Sequence, residues 1–282
     1  MKKLLYILFL ISFCVNAQDE LLDEIDTATD EVTYESAAFK GLKIVNFEST
    51  KMVSKKELYL VVSHRFGSIE TGFKDFFGLD QAVTRLNFIF GISDGVNIGV
   101  SRSSFQKTYE TSLKLRLLRQ KTKGTPFTIV LFNSLAVNTL LDKDEIPGLE
   151  FKHRLSYSTQ VLISRKFNKN LSLEIIPTVF HENLVTFDAQ ANTQYVLGFG
   201  GRHKLTPRWS INFDYGWHLN RAANSPFKNP LSIGFDLETG GHVFQLNFTN
   251  AQPMNVTGLL GQATGDWTEG NVFFGFNLAR IF

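Results

Sequence analysis

Long stretches of the chain alternate between apolar and polar residues. In residues 209–220 the large apolar side chains occupy the odd positions, from Trp209 to Leu219, and polar or small side chains occupy the even positions. A period of two is typical of a β-strand with one apolar and one polar face. The same pattern recurs and predicts twelve strands, near residues 57–66, 82–92, 96–105, 109–120, 126–138, 152–167, 171–182, 193–205, 209–220, 231–239, 242–250 and 271–282.

The lengths of the strands and of their connections favour a membrane barrel. Many predicted strands have ten to thirteen residues, against roughly 5–6 in soluble sheets and roughly 9–11 in tilted membrane-crossing strands. Short turns rich in Gly, Asn, Asp and Pro alternate with longer loops, as in outer-membrane barrels. We therefore predict an all-β fold, a transmembrane antiparallel up-and-down β-barrel of about twelve strands over residues 57–282, with short periplasmic turns and longer extracellular loops.

One strand-like segment is left over. Residues 39–47, Phe39-Lys40-Gly41-Leu42-Lys43-Ile44-Val45-Asn46-Phe47, are also strand-like, and including them in the wall would make thirteen strands. Because both ends of the wall are expected on the periplasmic side, the strand count must be even. Residues 39–56 are therefore interpreted as a strand-like segment and turn before the barrel, acting as a latch, an insert into the lumen or a periplasmic strand. A wall that includes the segment, with other pairings changed, is the alternative.

The amino terminus has the features of a cleavable secretory signal. Two lysines precede an apolar run from Leu4 to Val15, and Val15-Asn16-Ala17 fits a small-residue cleavage site, which predicts a signal peptide over residues 1–17. This run is shorter than the roughly 20 residues of a membrane-spanning helix, and no later apolar run reaches 18 residues. Cys14 would permit a lipoprotein, but Phe13 stands where a small residue is expected before a lipidated cysteine.

Charge is distributed unevenly behind the signal. Residues 18–36 contain eight acidic residues and no basic ones, whereas residues 37–282 contain 27 basic and 19 acidic residues, a net +8. An acidic stretch with few large apolar residues buries little surface, so residues 18–38 are predicted to be a flexible acidic leader. The alternative is a leader that docks against the basic remainder of the chain.

Composition and the last strand add to this picture. The chain has 27 Phe, 7 Pro and 1 Cys, which excludes collagen-like, disulfide-rich and mostly disordered classes. It closes on alternating residues that end in Phe282, which resembles the signal read by the barrel-assembly machinery. Together with that ending, five segments resemble a Bacteroidota outer-membrane β-barrel family of unassigned function: Ser63-His64-Arg65-Phe66-Gly67, Gly99-Val100-Ser101-Arg102-Ser103-Ser104, Leu117-Leu118-Arg119-Gln120, Thr264-Gly265-Asp266-Trp267 and Gly275-Phe276-Asn277-Leu278-Ala279-Arg280. This resemblance implies the fold and the outer membrane as the location, and it carries over no catalytic residue.

The sequence offers little evidence for enzyme or cofactor chemistry. A P-loop, a zinc-ribbon spacing and a dinucleotide fingerprint are missing. Residues Gly91 to Gly95 have the Gly-x-Ser-x-Gly spacing, but they lie at a tight turn predicted between two strands, whereas a serine-hydrolase elbow joins a strand to a helix. His64, His153, His181 and His218 are predicted near the extracellular ends of their strands, but on four separate strands and without a His-x-x-x-His pair they favour wall residues over a metal site. We therefore predict no enzyme activity, catalytic residue, cofactor, metal or nucleic-acid partner, and expect contact with outer-membrane lipid.

The polar face of the predicted strands carries the candidate site. Buried charges must pair or meet water, so the inward face is expected to form either a narrow water-filled pore that favours anions or a lumen closed by salt bridges. Three hypotheses follow: a barrel that passes or binds a small polar, possibly anionic, solute; a non-transporting scaffold or surface-interaction barrel; and, least supported, a barrel-embedded enzyme. The candidate lumen-lining residues are Arg65, Arg85, Glu110, Lys114, Arg116, Arg154, Glu174, Arg202, Lys204, Asp214, Asp236 and Glu238.

Overall fold

The computed structural model describes residues 33–239 and 241–282, and within them twelve antiparallel strands form a closed barrel. Each strand pairs with its neighbours in sequence, and the last strand pairs with the first. The predicted fold class is confirmed. The predicted signal peptide at residues 1–17 and residues 18–32 of the predicted leader lie outside the described residues. The strands are β1 (Leu58–Ser68), β2 (Ala82–Ser93), β3 (Val96–Ser103), β4 (Tyr109–Leu118), β5 (Thr128–Val137), β6 (Leu155–Lys166), β7 (Leu171–Glu182), β8 (Thr193–Lys204), β9 (Trp209–His218), β10 (Leu231–Thr239), β11 (His242–Thr249) and β12 (Phe273–Ile281).

All twelve predicted strands are present, and their bounds differ by a few residues at some ends. β6 begins at Leu155 rather than 152, because the preceding residues Phe151–Arg154 form a 3₁₀ turn capped by Glu150. β4 ends at Leu118 rather than 120, after a register shift that begins at Arg116. Such irregularities cluster where strands leave the barrel, so the sequence pattern located the strands but not their last residues.

The two faces of the wall have opposite chemistry. Along β9, the side chains of Trp209, Phe213 and Trp217 are 44–52% exposed on the outside, while Asn212 and Asp214 are at most 1% exposed on the inside. An apolar outer face suits lipid, and a closed ladder leaves no unpaired strand edge in it. No helix among the described residues is long and apolar enough to cross a membrane.

Two segments that do not belong to the wall fill the barrel. The first, called the lumen segment, comprises residues 37–53 and enters from the end of the barrel that carries the short turns. The second, called the inward loop, comprises residues 251–263 of the long β11–β12 connection and contains the short helix α1 (Val256–Gly261). Both are mostly buried, and their apolar side chains form one cluster with inward residues of the wall. The hydrophobic core of this protein therefore lies inside the lumen.

The lumen segment is a tight hairpin rather than an extended strand. The Ile44 N–H donates to the carbonyl of Phe47 over 2.9 Å, and the Ser49 N–H donates to that of Leu42 over 3.0 Å. Its tip needs space inside the wall, which glycines supply: a Cβ atom on Gly198 would lie 2.8 Å from the Phe47 ring. Of the alternatives for residues 39–47, the structure has the insert into the lumen.

Candidate functional site

A single carboxylate on β9 holds the tip of the lumen segment. Oδ2 of Asp214 accepts hydrogen bonds from three successive backbone N–H groups, those of Val45 (3.0 Å), Asn46 (2.7 Å) and Phe47 (2.9 Å). These donors sit at the turn of the hairpin, where the backbone has no strand partner. The Asp214 carboxylate therefore accepts from backbone N–H groups that a neighbouring strand would pair with if the segment were extended.

Side chains of β1 and β12, the pair of strands that closes the barrel, hold the same tip from the other side. Arg65 on β1 is 1% exposed and donates from Nη2 to the side-chain oxygens of Asn46 (2.6 Å) and Asn277 (3.1 Å). Asn277 on β12 in turn donates to the Val45 carbonyl over 3.0 Å. Strands β1 and β12 pair with each other, so docking of the lumen segment and closure of the barrel share these side chains.

Ion pairs fix the base of the lumen segment. Glu48 lies between two lysines, 2.6 Å from Lys43 of the same hairpin and 3.2 Å from Lys114 on β4. Glu174 on β7 accepts from the Thr50 N–H over 3.1 Å. Each end of the hairpin is thus attached to the wall by buried charged groups, whose loss would leave a partner unpaired.

The inward loop is attached by a second set of wall residues. Arg85 on β2 forms a buried ion pair with Glu110 on β4 and donates to the Met254 carbonyl over 2.6 Å. The Val256 N–H at the start of α1 lies 3.4 Å from Glu110, which accepts its hydrogen bond. At the other end of the loop, Gln262 donates to Glu182 over 3.0 Å.

The twelve candidate residues divide by their position along the barrel axis. Most of those that contact the lumen segment or the inward loop are buried, and the partly exposed ones lie towards the ends of the barrel. Arg202 and Glu238 form an ion pair near the short-turn end, where Lys40 also lies 3.1 Å from Glu238. Arg154 donates to two backbone carbonyls of the β5–β6 loop. The buried residues are Arg65, Arg85, Glu110, Lys114, Glu174, Arg202, Asp214 and Asp236, and the partly exposed ones are Arg116, Arg154, Lys204 and Glu238.

Sequence reasoning missed several residues that hold the internal segments. Glu182 shares the inward parity of Glu174 along β7 and is 8% exposed, so extending the alternation to the strand end would have found it. Gln245 on β11 donates to the Ile44 carbonyl over 2.8 Å and to Asp236 over 2.6 Å. An uncharged side chain of this kind gave no signal in a search for inward charges.

A cavity opens on each side of the filled lumen. The one at the short-turn end has a volume of about 340 Å³ and is bordered by the lumen segment, β4 and the β2–β3 turn. Its basic residues are Lys51, Arg116 and Arg119, which together are called the basic vestibule below. The one at the long-loop end has a volume of about 370 Å³ and lies between the β5–β6 and β7–β8 loops and α1. The lumen is therefore closed in the middle and accessible from both ends.

The long-loop end is tied together by polar contacts. Lys228 of the β9–β10 loop lies 3.2 Å from Asp266 of the β11–β12 loop. Hydrogen bonds from Thr268 and the charge of Lys228 lower the pKa of Asp266 to about 2. Its carboxylate therefore stays ionised throughout the physiological range, and this tie between loops persists there.

The histidines predicted near the long-loop end do not converge. His64 and His181 face outward and pair with threonines of neighbouring strands, Thr84 and Thr193, each over 2.8 Å. His218 faces inward and contacts Gln194, and His153 accepts from the Glu150 N–H. In the part of the chain that the structure describes, no three His, Cys, Asp or Glu residues lie close enough to hold a metal ion.

Comparisons with known proteins identify the kind of barrel. The sequence model of a family described as a membrane bound beta barrel domain (DUF5777) matches residues 39–282. The NanC porin superposes with a TM-score of 0.50 at 9% identity, over 79% of this chain and 98% of its own. An outer-membrane channel from Pseudomonas putida F1 superposes with a TM-score of 0.46 at 12% identity, over 82% of this chain and 97% of its own. No curated protein matches the sequence.

Proposed function

Since the chain belongs to the family of membrane bound beta barrel domains (DUF5777), we propose that it is a bacterial outer-membrane barrel that admits a small polar solute, favours anions, and is closed at rest. The lumen segment and the inward loop must move before a solute can pass. One observation carries this proposal: two open cavities flank the lumen segment and the inward loop. These two segments are separate from the strands of the wall, and hydrogen bonds to wall side chains help to hold them in the lumen.

Several features support a solute-handling role. The name of the NanC porin describes a channel, and its fold is similar to that of this chain. The internal segments contact the wall partly through carboxylates and amides, and water or a polar solute can take over these hydrogen bonds when the segments move. The basic vestibule supports the preference for anions, because a mouth lined by one sign of charge concentrates ions of the opposite sign.

Location and assembly are further parts of the proposal. A cleavable signal would export the chain, and the alternating β12 would be recognised by the barrel-assembly machinery before it pairs with β1. The five motifs that resemble the Bacteroidota family support such a source. Outer-membrane lipid would then contact the apolar outer face that β9 displays.

A second candidate is a closed barrel that acts as a scaffold or surface-interaction protein. It is supported by the filled lumen and by the β1–β2 loop, where Phe73, Phe76 and Phe77 are 85%, 58% and 42% exposed. An exposed apolar group of this size often marks an interaction surface. The two candidates differ in whether displacement of the internal segments creates a conducting pathway.

We expect an opened form of the barrel to select anions. The opened variant combines Asp214→Ala with replacement of residues 253–263 by a short Gly-Ser linker. In a KCl gradient across a planar bilayer, its reversal potential should show chloride passing more readily than potassium. Adding K51Q, R116Q and R119Q should weaken that preference, because the basic vestibule would lose its charge.

The matched control removes charge from the same end of the barrel but outside the vestibule. K169Q and R208Q, placed in short turns, should leave the reversal potential of the opened variant nearly unchanged. A preference for potassium in the opened variant would contradict the anion proposal. An equal effect of the two sets of substitutions would assign the selectivity to the overall charge instead of the vestibule.

A further inference from the structure

An apolar groove on the outer face of the wall ends beside an arginine. The groove has a volume of about 300 Å³ and is lined by outward-facing side chains of β6, β7, β8 and β9, with Phe127 and Phe167 at its short-turn end. We propose that it binds one acidic glycerophospholipid from the membrane leaflet at the short-turn end. The lipid phosphate contacts Arg165, and an acyl chain lies in the groove. This site does not depend on whether the barrel conducts.

The register of the strands places apolar side chains in line along the groove. Arg165 on β6 lies beside Leu173 on β7, towards the short turns. In the next outward row, Ile163 pairs with Ile175, and Ile175 pairs with Phe199 on β8. The Ile175 side chain is 47% exposed, so it forms part of an open floor. Because this floor is continuous with the apolar outer face of the wall, it is suited to an acyl chain.

Arg165 faces outward one residue before the end of β6. Its guanidinium lies 5.9 Å from the centre of the Phe127 ring and 5.0 Å from that of the Phe167 ring. Among the described residues, no carboxylate lies within 4.0 Å of this guanidinium. Contacts with ring faces leave the forked N–H donors of an arginine for an acceptor such as a phosphate. Arg165 therefore has both the charge and the donors to bind the headgroup of a lipid in the groove.

Aromatic side chains around the groove mark the level of the membrane surface. Phe127, Phe167 and Trp209 all lie at the short-turn ends of their strands and are 40%, 50% and 45% exposed. Such aromatic girdles lie at the two interfaces between lipid and water in membrane barrels. Arg165 therefore lies at the depth of the lipid phosphates, and the groove extends from there towards the acyl chains.

The charge of the neighbouring turns favours an acidic headgroup. Residues 163–173 and residues 199–213 each contain three lysine or arginine residues and no acidic residue. Lys166 and Arg202 pair with glutamates, whereas Lys169 and Arg208 lie in the β6–β7 and β8–β9 turns and add positive charge at this surface of the membrane. Basic groups at a membrane surface attract acidic lipids. The site should therefore prefer phosphatidylglycerol to phosphatidylcholine.

The test compares an acidic and a zwitterionic lipid on the purified full chain. The protein in detergent micelles is equilibrated with equal amounts of phosphatidylglycerol and phosphatidylcholine that carry the same acyl chains, and native mass spectrometry counts the lipids retained per chain. The unaltered chain should retain one phosphatidylglycerol. R165Q should lower this retention about fivefold, the effect of losing one basic group near a membrane surface. The matched control is R280Q, which removes another outward arginine at the short-turn end, 4.6 Å from the Phe282 ring, and should have little effect.

A second pair of variants tests whether the acyl chain occupies the groove. I175F places a larger side chain on the groove floor and should also lower the retention of phosphatidylglycerol, whereas I98F, at an outward position on β3 that is similarly exposed, should not. The folding of each variant is checked by its shift in electrophoretic mobility on heating. Equal retention of the two lipids by the unaltered chain would overturn the proposal, and so would equal losses in R165Q and R280Q. Unchanged retention in I175F would show that the groove is not the site.

Discussion

Asp214→Ala is expected to release the tip of the lumen segment. Three buried backbone N–H groups, those of Val45, Asn46 and Phe47, would lose their common acceptor, and each unpaired buried donor costs about 1–3 kcal/mol. Hydrogen exchange at these amides should therefore accelerate by about 100-fold or more. Exchange in the β8–β9 ladder should change much less, because its backbone pairing is separate from the carboxylate.

Asp236→Asn is the matched control for this variant. Asp236 is also a buried inward acid, but it accepts from the side chain of Gln245 and not from the lumen segment, and an asparagine oxygen can accept the same bond. Exchange at residues 45–47 should be close to that of the unaltered protein. If the amides of residues 45–47 exchange equally fast in the unaltered protein and in Asp214→Ala, the carboxylate does not hold the hairpin.

Arg85→Met is expected to destabilise the protein strongly. The substitution removes the ion-pair partner of the buried Glu110 and the donor to the Met254 carbonyl. Breaking a buried pair by removing one member typically costs about 3–5 kcal/mol, because the remaining charge is left unpaired. Urea unfolding of the barrel in lipid vesicles, followed by tryptophan fluorescence, measures this loss.

The double variant R85M/E110Q separates the cost of leaving the Glu110 charge unpaired from the loss of the contact between Arg85 and the inward loop. Without the Glu110 charge, much of the stability lost in Arg85→Met should return. Protease cleavage within residues 251–263 should nevertheless stay faster than in the unaltered protein, since the bond to the inward loop is still missing. A double variant as unstable as Arg85→Met would show that the ion pair contributes little and that Arg85 acts through its contact with the loop.

The wall of the barrel could be predicted from the sequence because lipid imposes a simple rule. Every strand must present an apolar face outward, so residues such as Phe213 and Trp217 alternate with polar inward residues, and this period of two marks all twelve strands. The inward polarity of Asp214 followed from the same parity. The alternation does not predict which group binds an inward charge. The backbone N–H groups that bind Asp214 lie about 170 residues earlier in the chain.

The two internal segments could be predicted only in part. Residues 39–47 are strand-like in sequence, and their apolar side chains, among them Phe39, Ile44 and Phe47, pack in the core inside the barrel instead of facing lipid. The inward loop was predicted as an ordinary extracellular loop. A signal was present, since residues 251–263 contain no charge and Val256, Leu259 and Leu260 have helical spacing. An uncharged, apolar stretch in a loop exposed to water is a reason to expect burial.

The charges of the lumen illustrate the limit of reasoning from composition. A surplus of inward cations predicted either a water-filled pore or salt bridges across the lumen. In the structure, many of these charges instead bind the internal segments: Lys114 contacts Glu48 of the hairpin, and Arg85 contacts the carbonyl of Met254 in the loop. Lys51, Arg116 and Arg119 of the basic vestibule border the cavity at the short-turn mouth, which is why the proposed selectivity depends on them.

Conductance in a planar bilayer tests the central claim, that two internal segments close an otherwise passable barrel, most directly. The account predicts that the unaltered protein is silent, that Asp214→Ala and the inward-loop replacement each give at most brief openings, and that their combination conducts steadily. Correct folding of each variant is checked by its shift in electrophoretic mobility on heating. Steady conductance from the unaltered protein, or silence from a folded combined variant, would contradict the account.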